Sequence, residues 1–198
     1  MELSALSNIY REAGIVGAGG AGFPTYAKLN SNAETILLNC AECEPLLRLH
    51  RQLLKFHASE IISAFEETRK TVGAKEGIVC IKEHYKGAIE AVTALLPEYP
   101  SMKIKILPKV YPAGDEVMLI YDATGKVVRP GGLPIECGVA VFNVETMYNA
   151  YCALNGESLT SKLVTIAGEV KDPKTLRLPL GAKLSEVVKL AGGETIDD

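Results

Sequence analysis

The sequence lacks an excess of positive charge, a long apolar run and a second close pair of cysteines. Each absence removes a class of function. Its 198 residues carry 21 basic and 24 acidic side chains, a formal net charge of −3, whereas a nucleic-acid-binding surface is normally basic. No apolar run approaches the roughly 18 residues that a membrane span needs. Met1-Glu2-Leu3-Ser4 has neither the basic start nor the apolar core of a signal peptide. Of the five cysteines, only Cys40 and Cys43 stand close together. A structural zinc or a cubane iron–sulfur cluster usually takes about four ligands from closely spaced residues. An odd cysteine count in a leaderless chain also argues against a disulfide framework. The expectation is a cytoplasmic globular chain with no metal site or cluster of its own, no nucleic-acid partner and no membrane span.

What is present is a rhythm. Residues 2–13 place Leu3, Leu6, Ile9, Tyr10 and Ala13 at three- and four-residue steps, which predicts a short amphipathic helix ending at Gly14. Residues 35–39 then read as a buried strand, and 46–72 as mostly helical with Pro45 able to start the helix. Strand and helix alternate again over 78–81 and 86–96, over 104–107 and 115–123, and over 139–142 and 144–154. Such alternation implies a Rossmann-like α/β fold, a mainly parallel sheet with helices on both faces. Ligands in such sheets bind beyond the carboxyl ends of the strands. After Gly156 the pattern becomes strand, turn, strand, helix (163–168, 176–180, 184–190), the opening of a β-grasp module. The expected domains are 1–156 and a partial β-grasp segment over 157–198.

Four stretches could carry chemistry. In Gly17-Ala18-Gly19-Gly20-Ala21-Gly22-Phe23-Pro24-Thr25, followed by Lys28, four glycines in six residues leave backbone N–H groups open to an anion. A flexible loop is the plainer reading. Against it, the run is apolar rather than Ser-rich and ends in a stiff Phe-Pro. It is neither a dinucleotide fingerprint, since no strand precedes it, nor a Walker loop, which needs Gly-Lys-Ser/Thr. Asn39-Cys40-Ala41-Glu42-Cys43-Glu44-Pro45 follows a strand and offers an amide and two carboxylates. Its two Glu residues could equally decorate a helix start, and the acidic spacer makes a redox Cys-x-x-Cys a poor reading. Tyr111-Pro112-Ala113-Gly114-Asp115-Glu116 and Phe142-Asn143-Val144-Glu145-Thr146 are further strand-to-helix junctions, each explicable alone as capping. Together the four could converge on one crevice. His50, His57 and His84 fit no catalytic or metal spacing and read as surface residues. Cys80, Cys137 and Cys152 read as packing.

In this order the motifs resemble the FMN-binding 51-kDa subunit of respiratory NADH dehydrogenase. The Ala-Glu-Cys-Glu-Pro variant, with Tyr-Pro-Ala-Gly-Asp-Glu and Asn-Val-Glu-Thr, is closer to the related RnfC/PduS-like family. The resemblance covers essentially the whole chain and implies a flavin site followed by an SLBB-like β-grasp. Carried over residue by residue, it implies that Gly17, Ala18, Gly19, Gly20, Ala21, Gly22, Lys28, Asn39, Glu42, Cys43, Tyr111, Gly114, Asp115, Asn143 and Thr146 face FMN, with Asn143 and Thr146 on its phosphate side. It implies that Phe23, Lys28, Glu44 and Glu116 face NADH. Ala18 departs from an Arg of the respiratory subunit, Ala41 from an acid and Asp115 from a Glu.

The implied activity is an FMN-dependent NADH oxidoreductase that passes electrons singly to 4Fe-4S clusters. Family members carry those clusters in a cysteine-rich region after the β-grasp. This sequence has no such region, so it reads as cut at a domain boundary and inactive toward the final acceptor. A PduS-like role would make that acceptor cobalamin, inside a bacterial microcompartment. An RnfC-like role would make it ferredoxin. A third reading is a non-catalytic docking module of the same fold, kept open by Ala18 and the missing clusters.

Overall fold

Four apolar runs of the sequence become strands. In the computed structural model, which describes residues 1–196, β1 (Thr35–Asn39), β2 (Glu76–Lys82), β3 (Met102–Leu107) and β4 (Val139–Asn143) form a parallel sheet in the order β3-β2-β1-β4. The central strand β1 is buried over Thr35–Leu38, which is why it is apolar without alternation. Ile36 and Leu38 face one core and Leu37 the other, the two-residue period of a strand.

The two faces are covered unequally. One carries α1 (Leu3–Glu12), α2 (Leu49–Phe56), α3 (Ala58–Val72), α4 (Lys86–Leu95) and α6 (Val144–Leu154). Leu6, Leu54, Ile61 and Phe65 are fully buried there, each contributing about 1.5–3 kcal/mol. Tyr10 sits among them, donating to or accepting from Thr68 Oγ1 at 2.9 Å, and burial pushes its phenol up to about 12. The other face carries α5 (Glu116–Thr124), whose Leu119 and Ile120 pack on Leu37, Ile78 and Val141.

Two local expectations are corrected. The helix expected over 46–72 is two helices, broken at His57, whose φ of −132° is not helical. Leu54 and Ile61 are seven residues apart, so the apolar face runs through the break in register and hides it. Pro45 does not start a helix: Leu47 N–H donates to Glu44 carbonyl in a turn, and α2 begins only at Leu49.

The remaining described residues form an antiparallel pair, β5 (Ser161–Ile166) with β6 (Lys174–Pro179), and α7 (Leu184–Leu190). This segment is tied to α6 by Glu145, whose side chain is 2% exposed. Its carboxylate accepts from Lys162 Nζ at 2.5 Å and from the Leu163 backbone N–H at 3.2 Å. No helix among the described residues is long and apolar enough to cross a membrane.

Candidate functional site

The chain steps from β1 outward to β2 and β3, then returns to the opposite side of β1 as β4. The strand order therefore reverses between β1 and β4, the place where open α/β sheets bind ligands. At that point the two last residues are register partners, Asn39 opposite Asn143. The glycine loop covers them. Its ends are clamped by a bridge between Val16 and Pro24, with Gly17 N–H donating to Phe23 carbonyl at 2.8 Å and Thr25 N–H to Ile15 carbonyl at 3.0 Å. Inside the clamp, Gly20 (φ 128°) and Gly22 (φ 64°) adopt backbone angles that side chains disfavour.

Loop and sheet are stitched together. Ala18 N–H donates to Thr146 Oγ1 at 2.9 Å. A Cβ at Gly19 would stand 3.4 Å from Asn143 Nδ2. Asn143 caps α6, its Oδ1 accepting from Glu145 N–H at 2.9 Å and Thr146 N–H at 3.4 Å. Asn39 Nδ2 donates to Gly114 carbonyl at 2.9 Å, and its Oδ1 accepts from Ala41 N–H. The 111–116 turn approaches so closely that a Cβ at Gly114 would lie 2.2 Å from Ala41 O and 2.8 Å from Cys43 Sγ. Three strand-to-helix junctions and the glycine loop thus meet at one sheet end.

Between them lies a cavity of about 330 Å³. Of the sequence-predicted residues, Gly17, Gly19, Ala21 and Gly22 line it from the loop, Asn39, Asn143 and Thr146 from the strand ends, and Phe23, Lys28 and Glu116 from its mouth. A second cleft of about 320 Å³ shares Ala21, Phe23, Lys28 and Glu116 with the first and continues over Leu133, Pro134 and Ile135. Lys28 stands at the junction. Its Nζ donates to Val141 carbonyl at 3.0 Å and to Glu116 Oε1 at 3.3 Å, and lies 5.9 Å from the centre of the half-exposed Phe23 ring.

The other predicted residues stand around this cavity rather than on its wall. Ala18 is half-buried, its N–H spent on Thr146, and Gly20 is exposed. Asp115 caps α5, accepting from Val117 and Met118 N–H. Tyr111 is 81% exposed. Cys43 and Glu44 are exposed, on the turn against Gly114. Glu42 is buried, and its Oε1 accepts the His50 backbone N–H at 3.0 Å. Lys82 Nζ donates to Glu42 carbonyl at 2.7 Å, so the turn after β1 is braced from β2. Cys40 is fully buried, and burial with the nearby Glu42 charge pushes its thiol well up. That environment suits packing rather than a thiolate. Among the described residues no group of three or more His, Cys, Asp or Glu could hold a metal.

Some contributors lie outside the implied set of site residues, although Thr25 and Phe142 stand within the stretches singled out above. Thr25, Val141 and Phe142 line the first cavity. His50 is not a surface residue: its Nδ1 is buried, its Nε2 lies 3.1 Å from Asn143 Nδ2, and burial with the nearby Lys162 charge lowers its pKa to about 4. No spacing rule joins two residues 93 apart.

The arrangement fits FMN. The glycine loop offers unshielded backbone next to the start of α6, a pairing suited to a phosphate. Thr25, part of the wall, has a buried hydroxyl with no protein partner. The wall is otherwise mostly apolar, and each of the two clefts reaches the lower end of the usual range for small-molecule sites, about 300 Å³.

Comparison with known proteins agrees. A family profile described as the Nuo51 FMN-binding domain matches residues 10–152, and one described as the SLBB domain matches residues 163–198. Cobalamin reductase PduS of Citrobacter freundii is 46% identical over 189 residues, covering 95% of this chain and 42% of that protein. The RnfC-type subunit of the Na(+)-translocating ferredoxin:NAD(+) oxidoreductase complex of Acetobacterium woodii is 32% identical over 199 residues, covering 98% of this chain and 45% of that protein. Among solved structures, the NAD+-reducing NiFe-hydrogenase in its air-oxidised state superposes with a TM-score of 0.80 at 26% identity, over 98% of this chain and 39% of that one. The chain spans less than half the length of these relatives. With the profile covering most of its length, its four junction motifs in order and the parallel sheet they cap, the chain belongs to the Nuo51 FMN-binding domain family, an oxidoreductase family in which its homologues are PduS cobalamin reductases and RnfC-type subunits.

Proposed function

We propose that this chain is the flavin-binding module of an NADH oxidoreductase: it holds FMN in the cavity between β1 and β4 and admits NADH through the adjoining cleft. The observation that carries this reading is the Asn39–Asn143 register pair at the sheet's reversal point, roofed by the glycine loop and flanked by Lys28. When bound, FMN supplies the conversion of a two-electron hydride into single electrons.

The chain's own residues bind, orient and exclude water. With the Gly17 and Ala18 N–H groups holding the loop closed and seated, the backbone N–H groups of Gly19–Gly22, with Asn143 and Thr146, take the phosphate side. Lys28 contributes a point charge where the two clefts meet. Asn39, with Glu42, Cys43, Tyr111, Gly114 and Asp115 on the surrounding turns, fixes the flavin-side rim. Phe23 offers a ring face to the nicotinamide nucleotide, and Glu44 and Glu116 hold its polar groups. The apolar surface of Leu133, Pro134 and Ile135 keeps water from the approach.

In this reading residues 1–156 form the flavin domain and 157–198 an SLBB-like segment. Electrons leave singly for 4Fe-4S clusters in the remainder of a longer protein. The higher identity to the PduS relatives favours cobalamin as the eventual acceptor and a location in the cytoplasm, inside a microcompartment. The RnfC-type relatives favour ferredoxin instead.

The test is titration of the purified chain with FMN, followed through the flavin absorbance bands, then anaerobic addition of NADH. Retention at micromolar FMN and bleaching by NADH are expected. Failure to retain FMN would sink the reading and leave a docking module of the same fold.

A further inference from the structure

We propose that His50 is a positioning residue for this site: as a neutral imidazole protonated on Nδ1, it holds the Asn143 amide in the orientation that the phosphate side of the cavity uses. The proposal rests on the flavin reading for its ligand, and on hydrogen-bond logic for its geometry.

Hydrogen bonding fixes each atom in turn, outward from α6. Asn143 Oδ1 lies 2.9 Å from Glu145 N–H and 3.4 Å from Thr146 N–H. Both are donors, so the atom facing them must be the amide oxygen, and the amide cannot flip. Nδ2 therefore points the other way, to His50 Nε2 at 3.1 Å. An amide nitrogen only donates, so Nε2 must accept and carry no proton. A neutral imidazole has one N–H, which leaves it on Nδ1. That nitrogen is buried with no hydrogen-bond partner. The protein thus keeps an orphaned donor in its interior, a feature that calls for an explanation.

The explanation lies in what Asn143 borders. Its Nδ2 is 3.4 Å from where a Cβ of Gly19 would stand, and Asn143 lines the cavity beside Thr146. Without an acceptor at Nε2, the Nδ2 donor, kept on this side by the bonds to Oδ1, would lose its partner and the amide would be held from one end only. His50 fixes it from behind.

The charges around the ring favour the neutral form. Lys162 of β5 opposes a second positive charge, and its own ammonium is held by Glu145 of α6. Glu42, after β1, spends one oxygen on the His50 backbone N–H and faces Arg51 of α2 at 3.9 Å. Protonation would also set an Nε2–H donor against the Asn143 Nδ2–H donor.

Two measurements decide the matter. Long-range proton–nitrogen NMR on the ligand-free chain reads the ring directly. The expected result is a proton on Nδ1 and a bare Nε2, unchanged from about pH 8 to about pH 5.5, where a free histidine would already be charged. The opposite tautomer, or a ring that is cationic at about pH 6, overturns the proposal.

The second measurement is FMN affinity in a mutant cycle. His50→Leu is expected to weaken affinity roughly threefold to tenfold, the scale of one lost hydrogen bond. His50→Gln is expected to stay near wild type, because its amide oxygen can accept where Nε2 does. On an Asn143→Ala background, His50→Leu is expected to add nothing. Equal losses on both backgrounds, or Gln no better than Leu, overturn the positioning role. If the wild-type chain binds no FMN, the flavin reading fails and takes the ligand half of this proposal with it. The NMR result still decides the His50–Asn143 contact.

Discussion

The backbone N–H of Ala18 and the hydroxyl of Thr146 meet at 2.9 Å across 128 residues of sequence. This bond seats the glycine loop on the start of α6. Thr146 is 2% exposed, so removing its oxygen leaves the loop without that anchor. Thr146→Val keeps the shape and deletes the acceptor. The expected cost is about 1 kcal/mol of stability, read by urea unfolding, together with weaker FMN retention. Thr146→Ser restores the acceptor and is expected to recover most of both. A Val variant that binds FMN as well as wild type would detach this bond from the site.

Two glycines separate packing from ligand contact. At Gly114 a Cβ would sit 2.2 Å from Ala41 O, and backbone there has little room to move. Gly114→Ala is therefore expected to destabilise the fold by at least about 2 kcal/mol. At Gly17 the nearest atom is Phe23 O at 3.5 Å, an ordinary contact. Gly17→Ala is expected to unfold near the wild-type denaturant midpoint yet bind FMN less well, since the added methyl covers loop backbone.

Lys28 gives the reverse pattern to Gly114. Its bond to Glu116 is partly exposed, with side chains 32% and 43% accessible, and pairs of that kind contribute at most about 1 kcal/mol. Lys28→Met is expected to leave the unfolding midpoint almost unmoved. It removes the one cation shared by both clefts, so affinities for FMN and for NADH are both expected to fall, and the salt dependence of binding to flatten. Unchanged affinity for both ligands would take Lys28 out of the site.

The sheet was legible because β1, β2 and β4 are buried almost throughout and so read as apolar runs, while the edge strand β3 alternates lysine with apolar residues. Asn39 and Asn143 were visible as strand-end residues, but their being register partners was not, since pairing is a tertiary fact. The break at His57 was hidden by an apolar period that runs straight through it. The wall of Leu133, Pro134 and Ile135 has no periodicity to announce it. Nothing in the 142–146 stretch marks Glu145 as buried; it is 2% exposed, and Lys162, from the next module, comes back to meet it. Tyr111 stood inside a specific motif but is the most exposed of the large side chains in it.

That Lys162–Glu145 pair should behave as a hinge pin between the two segments. Glu145 is 2% exposed and Lys162 37%, so the full penalty for an uncompensated buried charge, about 3–5 kcal/mol, is tempered by solvent on the lysine side. Lys162→Met is expected to cost about 1–3 kcal/mol on that basis. The loss should concentrate in β5 and β6, where amide hydrogen exchange is expected to quicken while β1 and β2 stay protected. Uniform acceleration across both sheets would show that the pair stabilises the whole fold rather than the junction.

His50 also gives the fold an acid sensitivity of its own. Its pKa falls from an ordinary 6.5 to about 4, through burial first and the Lys162 charge second. The unfolded chain therefore takes up a proton in a range where the folded one does not. The stabilisation is fully present above about pH 6.5, declines as pH falls toward about 4, and changes no further below that. Its size is at most about 3 kcal/mol, at about 1.36 kcal/mol per unit. Glu66, lowered chiefly by its hydrogen bond from Arg69, loses its contribution at lower pH, through the carboxylate range. His84 is lowered too, by burial first and Lys109 second, so His84→Gln is the control. Unfolding free energies measured from about pH 7 to about pH 4 are expected to slope less in His50→Gln than in wild type, and His84→Gln to retain most of the wild-type slope. If His50→Gln unfolds with the same pH slope as wild type, the ring is not held neutral in the folded state, and the hydrogen-bond chain from α6 through Asn143 to Nε2 is not the one this protein uses.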